Sequence, residues 1–200
     1  MTSIRKALIS CVLAAPLTFL PVSSIAADKS RAADTAAARI SIDNFGRIND
    51  AYFRGSQPDG DQYRQLKTLG VKTVIDLQQD GFAGEAQLVE AAGMKFVRIP
   101  MTTHDAPTSV QLDQFLRLVN DPASQPVYVH CAGGRHRTGV MTAAYRMSRD
   151  GWTAEQAFRE MKAYKFGADF LHNEFKQFIY SYHPPAGAAA HQSVALKLAN

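Results

Sequence analysis

Val129-His130-Cys131-Ala132-Gly133-Gly134-Arg135-His136-Arg137-Thr138-Gly139 is the stretch that decides the reading of this chain. Just before and overlapping it, residues 126–130 (PVYVH) form a short apolar run with the composition of a buried strand. Downstream, residues 137–149 carry Val140, Met141, Ala144, Tyr145 and Met147 at helical spacing. The pattern predicts a strand that delivers Cys131 to a loop of five residues, with a helix opening on the far side. Gly133 and Gly134 tolerate positive φ, so successive loop N–H groups can face inward as an anion nest. The helix start adds unpaired N–H groups and the positive end of its dipole. Arg137 offers a planar fork of donors that fits two oxygens of a phosphoryl group. Ala132, Gly133, Gly134, Arg135, His136 and Arg137 are therefore the candidate phosphate-binding residues. A lone cysteine at a strand end is usually a small buried hydrophobe. In this field, however, a thiol pKa falls from about 8.5 to about 3.5–7.5. That makes Cys131 the candidate nucleophile for phosphoryl transfer through a cysteinyl-phosphate intermediate. Thr138 is placed to donate its hydroxyl to the sulfur, and His130 to hold the loop by hydrogen bonding.

Strands and helices alternate outward from this loop. Residues 71–77 (VKTVIDL) and 95–101 (KFVRIPM) read as strands, and residues 61–69, 84–92 and 108–119 as amphipathic helices. Residues 40–53 predict a strand or hairpin closing in the turn 52–58 (YFRGSQP), where glycine and proline break the pattern. Thr153 with Gln156 makes a capping box for a helix over 153–164, and a last helix runs over about 169–182. The expected class is α/β, a mostly parallel sheet flanked by helices. Ligands of such sheets lie beyond the carboxyl ends of the strands, which is where Cys131 falls. Asp76 reads as structural, Arg98 and Arg117 as surface charges, and Arg54 as either a pocket residue or a turn residue.

Two hundred residues at 46% hydrophobic and 20% charged describe one globular domain with appendages. Two cysteines exclude a disulfide scaffold and a four-cysteine zinc site. The net charge of +4 points weakly to nucleic acid until the first 26 residues are read. There Arg5 and Lys6 precede an apolar run, and Ser24-Ile25-Ala26 puts small residues where a signal peptidase cuts. The run contains Pro16 and Pro21 and is short for a bilayer, which needs roughly 20 residues. A cleaved signal peptide is the expectation, with no stable membrane insertion afterwards and a periplasmic or secreted destination. Cleavage halves the net charge to +2, removes Cys11 and weakens the case for nucleic acid. The expected organisation is a signal peptide over 1–26, a linker over 27–39, a catalytic domain over 40–183 and a flexible tail over 184–200.

His130-Cys131, the five-residue loop and Arg137-Thr138-Gly139 resemble the signature of protein tyrosine and dual-specificity phosphatases. The Gly134 to Gly139 run and the Tyr52 to Pro58 stretch resemble the atypical dual-specificity branch of plants and fungi. The resemblance covers roughly residues 40–182 and implies the cysteine-phosphatase fold without a metal or other cofactor. It also implies a general acid on the loop after the preceding strand. Asp105 is the only carboxylate in residues 102–107, although an aspartate there also suits a turn or helix cap; His104 is the reserve. The implied partner is a phosphorylated substrate: a phosphoprotein, a phosphoinositide or an inositol phosphate. Arg135 and His136 add positive charge to the loop and favour the more highly charged members of that set. A phospholigand-binding protein of the same fold is the alternative. The sequence does not indicate an oligomeric state.

Overall fold

The computed structural model describes Thr35 and residues 40–184. The expected signal peptide, most of the linker and the tail past Pro184 lie outside the described residues. Among the described residues, no helix is long and apolar enough to cross a membrane.

Five strands form one sheet in the order β1-β2-β5-β3-β4. They are β1 (Gly46–Asn49), β2 (Tyr52–Ser56), β3 (Thr73–Gln78), β4 (Lys95–Met101) and β5 (Val127–Cys131). β1 pairs antiparallel with β2, and every other pairing is parallel. The helices packed around the sheet among residues 40–184 are α1 (Gln62–Thr68), α2 (Glu85–Ala91), α3 (Ser109–Asn120), α4 (Arg137–Arg149), α5 (Ala154–Ala163) and α6 (Asn173–Ser181).

Strand periodicity sorts the core into two layers. Ile75 and Leu77 of β3, with Val127 and Val129 of β5, pack beneath Phe115 of α3, Met141 of α4 and Phe175 of α6. Val74 and Tyr128 point the other way, against Tyr63 and Leu66 of α1 and Val89 of α2. β5 sits between β2 and β3 and is buried along its whole length. That accounts for its unbroken apolar run. The capping box of Thr153 and Gln156 opens α5, and Thr108 with Gln111 forms a second one at α3.

Two expected boundaries change. The stretch expected to turn over 52–58 is instead the buried strand β2. Its Gly55 is a packing requirement: a Cβ there would lie 2.4 Å from the Tyr128 hydroxyl, which donates to Ser56 O at 2.5 Å. The expected last helix divides into a 3-10 segment, Asp169–His172, and α6. Arg98 is not a free surface charge. It faces Asp76 across the β3–β4 register, and its Nε donates to Asp76 Oδ2 at 2.7 Å.

Candidate active site

Cys131 ends β5 with 3% of its surface exposed, on the α4 side of the sheet. From there to α4, three successive loop carbonyls are held from outside. Ala132 O accepts the Gln57 N–H at 3.2 Å. Gly133 O accepts Asn44 Nδ2 at 3.3 Å. Gly134 O accepts the same amide at 2.9 Å and Arg54 Nη2 at 2.6 Å. In a trans peptide the carbonyl and the following N–H point in opposite directions. Holding these carbonyls outward turns the N–H groups of Gly133, Gly134 and Arg135 inward, which is the geometry of an anion nest.

Arg54 therefore belongs beneath the loop rather than to a turn. It is fully buried, with its guanidinium 4.0 Å from the Tyr164 ring centroid. Asn44 takes a left-handed φ of 55°, which asparagine tolerates, and also donates to Tyr164 O at 3.0 Å. Sequence reasoning missed Asn44. Its partners lie about 90 residues away, and nothing local marks it.

Gly134 is the one loop position where the backbone demands glycine. Its φ is +62°, and a Cβ would sit 2.3 Å from the carbonyl carbon of Gly55. Gly134→Ala should cost about 2–4 kcal/mol through strain and displacement of β2. A thermal denaturation curve overlying that of the parent protein would show that β2 gives way freely.

Arg137 is 5% exposed, and its Nη1 donates to Met101 O at 3.1 Å and Asp80 Oδ1 at 3.4 Å. It lines two adjoining cavities. One, of about 260 Å³, is walled by Thr103, Cys131, Ala132, Gly133, Arg135 and His136. The other, of about 190 Å³, shares Arg137 and Thr103 and extends to Asp80, Thr102 and His104. Thr138 is fully buried, and its Oγ1 has no hydrogen-bond partner among the described residues, so the hydroxyl is uncommitted beside the loop.

Asp105 is exposed on the loop after β4, and its Oδ2 accepts the Thr102 hydroxyl at 2.7 Å. It lines neither cavity, whereas Thr102, Thr103 and His104 of the same loop do. The carboxylate that borders the second cavity is Asp80, which the sequence did not single out.

His130 does not bond the loop, for a reason of strand alternation. It follows Tyr128 to the α1–α2 side and stacks on it at 5.7 Å. Its Nε2 lies 3.0 Å from Glu85 Oε1 and its Nδ1 3.9 Å from Asp76 Oδ1. Neither nitrogen has the alignment of a hydrogen bond, so the contact is one of packing. Asp76, Glu85 and His130 bring three metal-ligating atoms within 4.8 Å of one another. Arg98, 2.7 Å from Asp76 and 3.8 Å from Glu85, already supplies the positive charge a cation would bring.

His136 caps the start of α4. Its Nε2 donates to Phe166 O at 2.9 Å, and its ring packs 3.7 Å from that of His172. Burial first, then His172, then Arg135 and Arg137 hold its pKa below the ordinary imidazole value. The neutral ring leaves Arg135 as the exposed cation of the loop.

A family model described as a DSP-PTPase phosphatase fused to NAD+ kinase matches residues 36–177. The chain belongs to this phosphatase family. Its curated relatives include the dual specificity protein phosphatase TpbA of Pseudomonas aeruginosa, 27% identical over 62% of this chain and 56% of the relative. The inositol diphosphatase SIW14 of Saccharomyces cerevisiae is 26% identical over 62% of this chain and 46% of the relative. The chain thus spans about half the length of these two relatives. Among solved structures, the phosphatase resembles the SIW14 catalytic domain with a TM-score of 0.63 at 23% identity, covering 79% of this chain and 94% of that one. It resembles P. aeruginosa TpbA with a TM-score of 0.61 at 24% identity, covering 78% and 91%. The dual-specificity-type phosphatase is an α/β enzyme with a mostly parallel sheet, as its alternating strands and helices predict.

Proposed function

We propose that this phosphatase hydrolyses phosphate monoesters through a phosphorylated Cys131. The observation that carries the reading is the outward clamping of the Ala132, Gly133 and Gly134 carbonyls beside the start of α4. The resulting nest, the α4 N-terminus and Arg137 form a fixed, positive seat for a phosphoryl group. Catalysis in such a seat comes from donors already aimed at the charge of the transition state.

The Cys131 thiolate attacks phosphorus, so that an S–P bond forms while the bond from phosphorus to the leaving oxygen breaks. Asp105 gives that oxygen its proton. In the second step a water oxygen attacks phosphorus, Asp105 takes the water proton, and the S–P electron pair returns to sulfur. The Thr138 hydroxyl donates to the sulfur and makes it a better leaving group. Asp105 acts from the loop it shares with the cavity-lining Thr102, Thr103 and His104, after exchanging Thr102 for the substrate oxygen.

The substrate class is a phosphorylated protein side chain or an inositol phosphate. One relative is an inositol diphosphatase, and P. aeruginosa TpbA has been crystallised as a variant with pTyr. Because His136 is held neutral, the added positive charge that favours polyphosphates rests on Arg135 alone. The leader expected over 1–26 assigns the enzyme to the periplasm or the medium.

The test is hydrolysis of an aryl phosphate in the presence of a metal chelator, with an acid quench during turnover. Phosphate is expected on the Cys131 peptide by mass spectrometry. Tight phosphoester binding without turnover across a panel of phosphotyrosyl peptides, phosphoinositides and inositol pyrophosphates would make the protein a phospholigand binder instead.

A further inference from the structure

His172 ends the 3-10 segment before α6, and its side chain joins the two loops that wall the cavity over Cys131. On one side, its Nδ1 donates to Thr103 O at 3.0 Å. On the other, its ring packs against His136, 3.7 Å between centroids and tilted by 35°. Phe175 stacks behind it at 5.8 Å. Thr103 and His136 both wall the cavity above the nucleophile, one from the loop after β4 and one from the phosphate loop. The side chain of His172 is only 14% exposed. The other acceptor near Nδ1 is Glu174 Oε1 at 3.4 Å, which makes no hydrogen bond, so the proton is committed to Thr103.

The Thr103 carbonyl belongs to the turn that carries the proposed acid. Thr102 Oγ1 accepts the His104 N–H at 3.3 Å and the Asp105 N–H at 3.0 Å, and donates to the Asp105 carboxylate at 2.7 Å. The two N–H bonds to Thr102 tie the backbone of residues 102–105 into one turn, and His172 holds the carbonyl of its second residue. The grip has a firm base. His136 is fixed by Phe166 O at 2.9 Å and by its position at the start of α4.

We infer that His172 is a positioning residue for proton transfer: braced on His136, it holds the backbone of the Thr102–Asp105 turn beside the cavity, so that the Asp105 side chain reaches the leaving oxygen once it has exchanged Thr102 for it. It touches no reacting atom. The inference rests on the reading of Asp105 as the acid. Misplacing a catalytic group by about 1 Å can cost up to about 100-fold in rate. The loss appears only where the leaving oxygen needs a proton.

The experiment compares phenyl phosphate, a poor leaving group, with 4-nitrophenyl phosphate, a good one. His172→Phe keeps the stack on His136 and Phe175 but loses the donor. It should lower kcat on phenyl phosphate by about 10- to 100-fold. KM, vanadate inhibition and turnover of 4-nitrophenyl phosphate should stay close to those of the parent. His172→Asn puts an amide N–H near the former Nδ1 but loses the ring, and should restore only part of the lost kcat. Equal losses on both esters, weakened vanadate inhibition or no rescue by asparagine would reduce His172 to a packing role and overturn the inference. Asp105→Asn, run in parallel, separates the two claims. If it shows the leaving-group-selective loss and His172→Phe does not, the positioning role fails and the acid stands. If neither variant shows that loss, both fail.

Discussion

Cys131→Ser should lower turnover of an aryl phosphate by about 10⁴-fold or more and abolish the phosphate label on the peptide of residue 131. Serine is close in volume to cysteine, and the site is 3% exposed, so the strand end repacks little. The change is one of chemistry. A thiol sulfur is the stronger nucleophile toward phosphorus and the better leaving group from it, and a serine oxygen is neither. The phosphate seat itself consists of backbone and Arg137, so the variant should still bind orthophosphate. The paired measurement is kcat by steady-state assay and phosphate affinity by calorimetry. Retention of more than a small fraction of kcat would mean that another group attacks phosphorus and would end the Cys131 assignment.

Arg137→Lys should lower kcat/KM by about 10²- to 10³-fold, the scale for losing a donor aimed at transition-state charge. Arg137 has two tasks. Its Nη1 is engaged by Met101 O and Asp80, and the residue also lines the cavity over Cys131. A lysine carries one compact charge and cannot reproduce a bidentate grip while holding a carbonyl elsewhere. It also removes one of the two donors to the Met101 carbonyl, the Gln79 N–H remaining at 3.2 Å, with a cost of about 0.5–1.5 kcal/mol. Thermal denaturation measures that second effect separately. A variant that loses stability but keeps kcat/KM would show that Arg137 props up Met101 and does not grip phosphate.

The centre of this enzyme was legible because its signals are local. The apolar run of β5, the paired glycines and the start of α4 adjoin one another in the chain, and each has a physical meaning within a few residues. What was illegible depends on distant partners. The Tyr52 to Ser56 strand looked like a turn because Gly55 yields to a hydroxyl from Tyr128, 73 positions on. Arg98 looked free because Asp76 becomes its neighbour only when β3 and β4 pair. His130 adjoins Cys131 in sequence, yet strand alternation sends it to Glu85 on the opposite face. Asp105 lay on the expected loop, but its carboxylate engages Thr102, a detail that spacing cannot supply.

The clamps on the loop carbonyls also set the timing of competence. Asn44 and Arg54, with the Gln57 N–H, come from the first described segment of the chain, and the carbonyls they hold lie 80 or so residues later. Parallel pairing of β2 with β5 has to close that long span before the amides of residues 133–135 are turned inward. A half-folded chain therefore carries Cys131 without the inward N–H groups that the proposed mechanism places around it. The inward amides arrive with the β2–β5 pairing, so the onset of orthophosphate binding during refolding would act as a clock on that contact.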